Sequence, residues 1–207
     1  KQYVEQIKNI PANTATHESW KAPTRVSEEG GVLLETANWG QGAPYNSLCP
    51  IIDGVQAPTG CVATAMAIVM KYHNWPENGR GYHKYRPNQL SDEFTECDFG
   101  NLHFDFSDIN PALPTFIKSI GCAVNMNYSK ELSSTYVWVA PNAFRRFFRF
   151  SPDCQYIEKS HFNHADWLNK IHKQLDKHQP IIYSGFDEKK IGHAFVLDGY
   201  KDDLFHI

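Results

Sequence analysis

The chain has 207 residues, 42% of them hydrophobic, and a formal net charge of -3. This length suits one domain, or one domain with an appended segment. Such a chain buries about 70% of its unfolded surface, so its core needs neither a metal nor a disulfide. No basic run or zinc-finger spacing indicates nucleic-acid binding, and no apolar run approaches the roughly 18 residues of a membrane span.

The first thirty residues divide into a helical pattern and a polar linker. The apolar residues of segment 2–10 fall near one helical face, and Pro11 ends the pattern. Residues 11–31 are polar and rich in turn formers, which is typical of a segment open to proteolysis. No signal peptide stands at Lys1, and the chain starts inside the predicted helix, so we expect a processed or trimmed piece. The globular body is predicted from about Val32.

The strongest predicted element is a helix that opens at Cys61. Residues 38–60 before it are rich in glycine and proline, which predicts an irregular approach segment. In the run CVATAMAIVMKYHNWP, apolar residues recur at helical spacing until Pro76 stops the pattern. Because the other residues of the run are mostly small, we predict a central buried helix.

The rest of the chain changes from helical to extended patterns. Further helices are predicted up to about residue 177. In the last third of the chain, the spacing of apolar residues becomes that of strands joined by polar turns. The predicted helices are 112–120, 141–149 and 164–177, the last with Asn163 as N-cap, and the predicted strands are 180–186, 193–200 and 204–207. Helices first and antiparallel strands last indicate an α+β fold.

Cys61 is the first candidate for chemistry. A helix N-terminus presents unpaired N–H groups and a partial positive charge, which favour the nucleophilic thiolate over the thiol. Gly60 before it permits close approach of a substrate backbone. Taken alone, a cysteine in an apolar helix is more often a small buried hydrophobe.

His193 is the matching base candidate, because it follows Gly192 at the mouth of a predicted strand. It could take the thiol proton and return one to a leaving amine. With ten histidines present, a surface or structural role is the commoner alternative for any one of them. A helix-start cysteine followed far along the chain by a strand histidine is, however, the order found in papain-like enzymes.

Gln41 lies in the segment WGQGAPYN before the predicted nucleophile. Its side-chain N–H could stabilise an oxyanion beside the backbone N–H of Cys61. The alternative is a glutamine that faces water in a glycine- and proline-rich loop, and spacing alone favours that alternative.

Other polar clusters favour structural explanations. His161 and His164 have a spacing that could bind a metal, but no third ligand is apparent, and helix capping explains them better. The arginines around 145–149 alternate with phenylalanines, which is more typical of a packing helix than of a nucleic-acid surface. Asp198 is interpreted as a turn residue. The odd cysteine count leaves at least one thiol unpaired, and pairing stays open for Cys49, Cys97, Cys122 and Cys154.

Three long blocks of the chain resemble the streptopain family of bacterial cysteine peptidases. They are WGQGAPYN, GCVATAMAIVMKYHNWP and QPIIYSGF…GHAFVLDGY, and the resemblance covers about residues 38–207. The family includes secreted enzymes of streptococci and of Bacteroides and Prevotella relatives, and the blocks imply a member of the latter type. This resemblance implies a papain-like fold, in which a helical subdomain and an antiparallel β subdomain flank the active-site cleft.

The resemblance also implies roles for individual residues. Cys61 matches the nucleophile, His193 the base and Gln41 the oxyanion donor, while Gly192 and Ser134 match positions that contact the substrate backbone. A glycine-rich loop expected near Ser134 is absent from the sequence. The family prefers bulky apolar side chains at the second substrate residue before the scissile bond.

The resemblance further implies how the chain is divided. Residues 1–24 correspond to the end of an inhibitory propeptide with its processing linker, cut by the enzyme itself within 21–31. Residues 25–207 correspond to the catalytic domain. In the family, the last strand continues into an Asn-Trp-Gly-Trp-Gly-Gly segment that orients the histidine. The sequence ends at Ile207, so we expect the C-terminal end of the catalytic domain to be missing.

The expected function is therefore a secreted cysteine endopeptidase, located outside the cytoplasm of a bacterium. Its expected partners are protein or peptide substrates and its own propeptide as inhibitor. We expect no cofactor, metal, nucleic-acid partner or membrane span. Two alternatives stay open, namely a catalytically inactive papain-like peptide-binding module and an acyltransferase or amidase on the same scaffold.

Overall fold

The computed structural model describes residues 31–87, 94–187, 191–201 and 204–207. The predicted helix at 2–10 and the linker up to residue 30 lie outside these residues. The helices are α1 (Cys61–His73), α2 (Leu113–Ala123), α3 (Ala140–Phe147) and α4 (His164–Asp176). The strands are β1 (Gly31–Leu33), β2 (Ile51–Ile52), β3 (Val55–Gln56), β4 (Tyr82–Tyr85), β5 (Thr95–Asp98), β6 (Ile181–Phe186), β7 (Gly192–Leu197), β8 (Gly199–Lys201) and β9 (Leu204–His206). Apart from short 3-10 turns, these are the regular elements of the described residues.

The predicted central helix is present as α1 and is buried over most of its length. At its start, the carbonyl of Gly60 accepts a hydrogen bond of 3.1 Å from the Thr64 N–H. At its end, Asn74 adopts the left-handed conformation that commonly terminates helices, and Pro76 follows. Apolar residues on all sides of α1 therefore reflect a helix that is enclosed by the fold.

The remaining predicted helices are also present, with small shifts at their ends. Asn163 caps α4 as predicted, because its side-chain oxygen accepts a hydrogen bond of 2.9 Å from the Asp166 N–H. In α3, Phe144 and Phe147 are buried while Arg145 donates to the Cys154 carbonyl at 2.8 Å. The arginine-rich segment is thus an amphipathic packing helix.

The prediction of one continuous strand at 193–200 is wrong, because the strand is interrupted at Asp198. Up to that point β7 pairs with β6 in an antiparallel hairpin, and beyond it β8 pairs with both β1 and β9. Strand β1 falls where the linker was predicted to end. Its partner β8 is remote in sequence, so no local pattern could reveal it.

Two further hairpins lie in segments without a strand prediction. Strands β2 and β3 pair within the predicted irregular segment 38–60, and β4 pairs with β5 over four residue pairs. Both hairpins are too short to display a convincing alternation of apolar and polar residues. The β4–β5 hairpin packs against α2.

Two apolar cores hold the fold together. The larger one surrounds α1, α2 and α3 and includes the phenylalanines around them. The smaller one joins α4 to β1, β6 and β7. Strand β7 belongs to both, since Ala194 and Val196 contact the larger core and Leu197 the smaller. Strand β7, which carries His193, is therefore packed against both apolar cores. Within the described residues, no helix is long and apolar enough to cross a membrane.

Candidate active site

Cys61 is the first residue of α1 and is half-buried. The helix packs directly against β7, which brings the start of the helix beside the start of the strand. No acidic residue occupies the first turn of α1 to oppose a second negative charge there. The fold thus exposes one sulfur at the positive end of a buried helix.

The thiol of Cys61 and the imidazole of His193 are hydrogen-bonded to each other. Burial opposes ionisation of the thiol, but the pKa of Cys61 is nevertheless lowered by the hydrogen bond from His193. The backbone N–H groups of Ala194 and Val62 and the charge of His193 act in the same direction. The surroundings therefore favour the thiolate, which is the nucleophilic form.

His193 responds in the opposite sense. Its hydrogen bond to Cys61 and the charge of that thiolate raise the pKa of His193, against the lowering effect of burial. The lowered pKa of the thiol and the raised pKa of the imidazole both favour transfer of a proton from sulfur to nitrogen. The two shifts move the pair toward the thiolate–imidazolium form.

Gly60 is the residue that allows Cys61 to be placed this way. Its φ is +87°, in the region that favours glycine. A Cβ at this position would lie 2.5 Å from Sδ of Met126 and 3.2 Å from the Ser133 carbonyl oxygen. Glycine is therefore required both for the turn into the helix and for the close packing around it.

Gln41 lies beside the same helix start. Its backbone carbonyl accepts a hydrogen bond of 3.0 Å from the Thr59 N–H, two residues before Cys61. Thr59 is itself fixed, because its hydroxyl lies 2.7 Å from that of Thr64 in α1. The structure thus ties the backbone of the predicted oxyanion donor to the segment that leads into α1.

The two predicted substrate-contact residues lie on different segments of the fold. Ser134 exchanges two backbone hydrogen bonds of 2.9 Å with Asn127, on the segment whose Ser133 carbonyl approaches Gly60. Gly192 opens β7 directly before His193, and a Cβ there would lie 3.1 Å from the Phe186 ring. Both residues are exposed.

One polar group was missed by the sequence reasoning. Asp198 is a buried carboxylate, although its position between two strands suggested a simple turn residue. Its two oxygens contact His206 Nδ1 at 2.5 Å and the Thr36 hydroxyl at 2.6 Å. An aspartate directly after a buried apolar strand was the available signal, but its partners are distant in sequence.

The predicted weak metal candidates do not gather into a site. His161 ends a 3-10 turn and His164 opens α4, where Asn163 supplies the cap. In the part of the chain that the structure describes, no group of three or more potential metal ligands is present. Nucleophilic chemistry at Cys61 is the chemistry that this arrangement supports.

A mixed α+β fold with a helix-start thiol hydrogen-bonded to a strand histidine is that of a papain-like cysteine peptidase. Residues 39–207 match the model of the peptidase C10 family, and the chain belongs to that family. The predicted fold class is confirmed by solved structures. The chain resembles active interpain A cysteine protease of Prevotella intermedia with a TM-score of 0.76, at 31% identity over 86% of this chain and 82% of that one.

Related sequences come from other bacteria. The chain is 35% identical to the thiol protease/hemagglutinin PrtT of Porphyromonas gingivalis over 87% of its own length, and 29% identical to streptopain of Streptococcus pyogenes over 95%. It spans 22% of the former protein and 56% of the latter. A fragment of prointerpain A of Prevotella intermedia matches with a TM-score of 0.75 and 34% identity, over 82% of this chain and 58% of that one.

Proposed function

We propose that the chain is a cysteine endopeptidase in which Cys61 is the nucleophile and His193 the general base and acid. The observation that carries this proposal is the Cys61–His193 hydrogen bond at the start of α1, with its lowered thiol pKa and raised imidazole pKa. Membership of a peptidase family supports the same chemistry.

In the first step, the Cys61 thiolate attacks the carbonyl carbon of a peptide bond. Negative charge then develops on the carbonyl oxygen, where the Cys61 N–H and the Gln41 side chain act as donors. The hydrogen bond from Thr59 to the Gln41 carbonyl holds the backbone of Gln41 at the correct end of the helix. Donors fixed in advance need little reorganisation as the charge forms.

In the second step, the His193 imidazolium gives its proton to the leaving amine, and an acyl-enzyme remains on Cys61. His193 then accepts a proton from water, the resulting nucleophile attacks the thioester, and the acid product leaves. Ser134 and Gly192 contact the substrate backbone. Proteins and peptides, with a bulky apolar residue second before the cleaved bond, are the proposed substrates.

Alkylation separates an active peptidase from an inactive peptide-binding module. At about pH 5, iodoacetamide should modify Cys61 rapidly, whereas an ordinary thiol hardly reacts. Cys154 is the matched internal comparison, because burial raises the pKa of its thiol. Casein should be cut into peptides by the parent chain and by Cys154→Ser, but not by Cys61→Ala. Slow alkylation of Cys61 together with intact casein would establish the binding module, and small-amide hydrolysis or transfer alone would establish the amidase or acyltransferase.

We further propose that residues 1–24 are the end of an inhibitory propeptide and its linker, and that residues 25–207 belong to the catalytic domain. The family match begins at residue 39, and one similar solved structure is a proenzyme, which supports this division. Self-cleavage should produce new N-termini within 21–31 in the parent chain but not in Cys61→Ala. Identical cleavage in both proteins would contradict self-processing.

The proposed location is secreted or at the cell surface of a bacterium. Similarity to a bacterial hemagglutinin and to streptopain supports this proposal. Fractionation of the native host with an antibody to the catalytic domain tests it, and recovery of the protein only in the cytoplasmic fraction would overturn it.

A further inference from the structure

Cys97 and Cys122 lie together where the β4–β5 hairpin packs against α2. Cys97 is in β5, Cys122 is near the end of α2, and the two thiols share a hydrogen bond. Cys122 Sγ lies 3.9 Å from the carbonyl oxygen of His83, and His83 is the residue directly opposite Cys97 in the β4–β5 ladder. The helix thus places one sulfur over the strand pair that carries the other.

The other cysteines have different surroundings. The Cys49 thiol is hydrogen-bonded to the Tyr128 hydroxyl, and burial raises its pKa to about 11. Cys154 lies near the Arg145 guanidinium, and Cys61 is bonded to His193. Among the described residues, Cys97 and Cys122 are therefore the pair whose thiols influence the ionisation of each other.

The two thiols are also unequal in a way that suits stepwise oxidation. Cys97 is half-buried, and the hydrogen bond from Cys122 lowers the pKa of its thiol despite burial. Cys122 is 1% exposed, and the same hydrogen bond together with burial raises the pKa of its thiol. An external disulfide would consequently meet the more ionised sulfur first.

We propose that Cys97 and Cys122 are a disulfide-forming pair that links β5 to α2 when the protein meets a disulfide oxidant, either a small molecule or an enzyme. The Cys97 thiolate attacks one sulfur of the oxidant, which breaks the S–S bond of the oxidant and releases one thiol. The Cys122 sulfur then attacks the mixed disulfide at Cys97 and releases the second thiol. The protein loses two protons and two electrons, and the oxidant is reduced to two thiols.

The disulfide would stabilise the segment after α2 that packs against the residue before the proposed nucleophile. Chain leaving α2 passes through Asn125 to Met126, which packs against Gly60 immediately before Cys61. A link that closes the segment from 97 to 122 restricts the unfolded chain and raises stability. The inference uses no residue of the proposed mechanism, so its failure would leave the peptidase proposal intact.

The test uses the whole chain with Cys61→Ala, which removes both self-cleavage and the most reactive thiol. The protein is incubated with oxidised glutathione, remaining thiols are blocked with iodoacetamide, and peptides are mapped without reduction. We expect a peptide pair joined through Cys97 and Cys122, lighter by two hydrogens than the sum of its parts. The midpoint of thermal unfolding should rise by roughly 5–10 °C and return after dithiothreitol.

Three further proteins in the same background serve as controls. Cys97→Ser and Cys122→Ser should lose both the joined peptide and the thermal shift, while Cys154→Ser should retain both. The peptide map of the parent does not depend on how well these variants fold. Glutathione left on Cys97 without closure, full alkylation of both thiols, or a joined peptide that instead contains Cys49 would overturn the proposal.

Discussion

Asp198 Oδ1 lies 2.5 Å from Nδ1 of His206, while the other oxygen of the same carboxylate accepts the Thr36 hydroxyl proton at 2.6 Å. Backbone hydrogen bonds connect the same segments. The Asp198 carbonyl accepts a hydrogen bond from the Leu34 N–H, and the Asp198 N–H donates to the His206 carbonyl. One buried side chain therefore joins the segment after β1, the break between β7 and β8, and β9. The strand that carries His193 ends at this junction.

Asp198→Asn should destabilise the protein by about 2–3 kcal/mol, because the buried amide cannot accept at both positions and its NH2 group faces a donor. Urea unfolding of both proteins measures the difference. Asp108→Asn is the control, since Asp108 is exposed and should change stability by less than about 0.5 kcal/mol. Equal effects of the two substitutions would show that the buried carboxylate contributes little.

The dependence of catalysis on pH follows from the signs of the two shifts. Because the pKa of Cys61 is lowered, the thiolate persists at pH values where an ordinary thiol is protonated. Because the pKa of His193 is raised, the imidazolium persists to higher pH than an isolated histidine. We expect kcat/KM to fall on the acid side as Cys61 gains a proton and on the alkaline side as His193 loses one.

Removal of the imidazole tests this assignment directly. In His193→Ala, the thiolate loses a donor and a charge, so its alkylation rate at about pH 6 should fall by roughly 100-fold. The acid limb of the alkylation profile should move to higher pH. The exposed His164 provides a control, and His164→Ala should react like the parent. An unchanged profile in His193→Ala would mean that the helix terminus alone activates Cys61.

On the proposed assignment of Gln41 as an oxyanion donor, Gln41→Ala should lower kcat by about 10²–10³ with little change in KM, because such a donor acts mainly as negative charge develops on the oxygen. Steady-state hydrolysis of a short peptide substrate measures both constants. Gln155→Ala changes an exposed glutamine and should retain the activity of the parent. A rise in KM alone would reassign Gln41 to substrate binding.

Gly60→Ala should lose about 2–4 kcal/mol of stability, since the new Cβ combines an unfavourable positive φ with overlap of the Met126 side chain. Displacement of the helix start should also reduce kcat/KM. Gly42→Ala is the matched control, because a Cβ at Gly42 meets nothing within 4 Å. Thermal unfolding and casein hydrolysis give the two readouts, and a neutral Gly60→Ala would refute the close packing of Gly60 against Met126.

The local patterns of the sequence predicted what depends on neighbours along the chain. Helix α1 and the Asn163 cap of α4 were predicted because helical spacing and a side-chain cap are short-range features. The pairing of β1 with β8 and the burial of Asp198 depend on contacts between distant segments, so no local pattern contained them. Their strands have three residues each, which is too few for a periodic signal.

The candidate site divides in the same way. The order of a helix cysteine and a strand histidine, joined to the family resemblance, indicated Cys61 and His193. The contribution of the Ala194 N–H to the thiol could not be predicted, because it requires β7 to lie against the first turn of α1. The assignments of Gln41, Ser134 and Gly192 stay predictions, and Gln41→Ala tests the first of them.

The hydrogen bond between the Thr59 N–H and the Gln41 carbonyl couples the backbone of Gln41 to the segment that leads into Cys61. The two proposed oxyanion donors should therefore move together. His193 stands on a different element, β7, which packs against α1. A ligand that wedged the strand away from the helix would therefore separate acid from nucleophile while the oxyanion pocket kept its shape. Such a ligand would act as an inhibitor that blocks proton transfer yet leaves the enzyme able to bind an analogue of the tetrahedral intermediate.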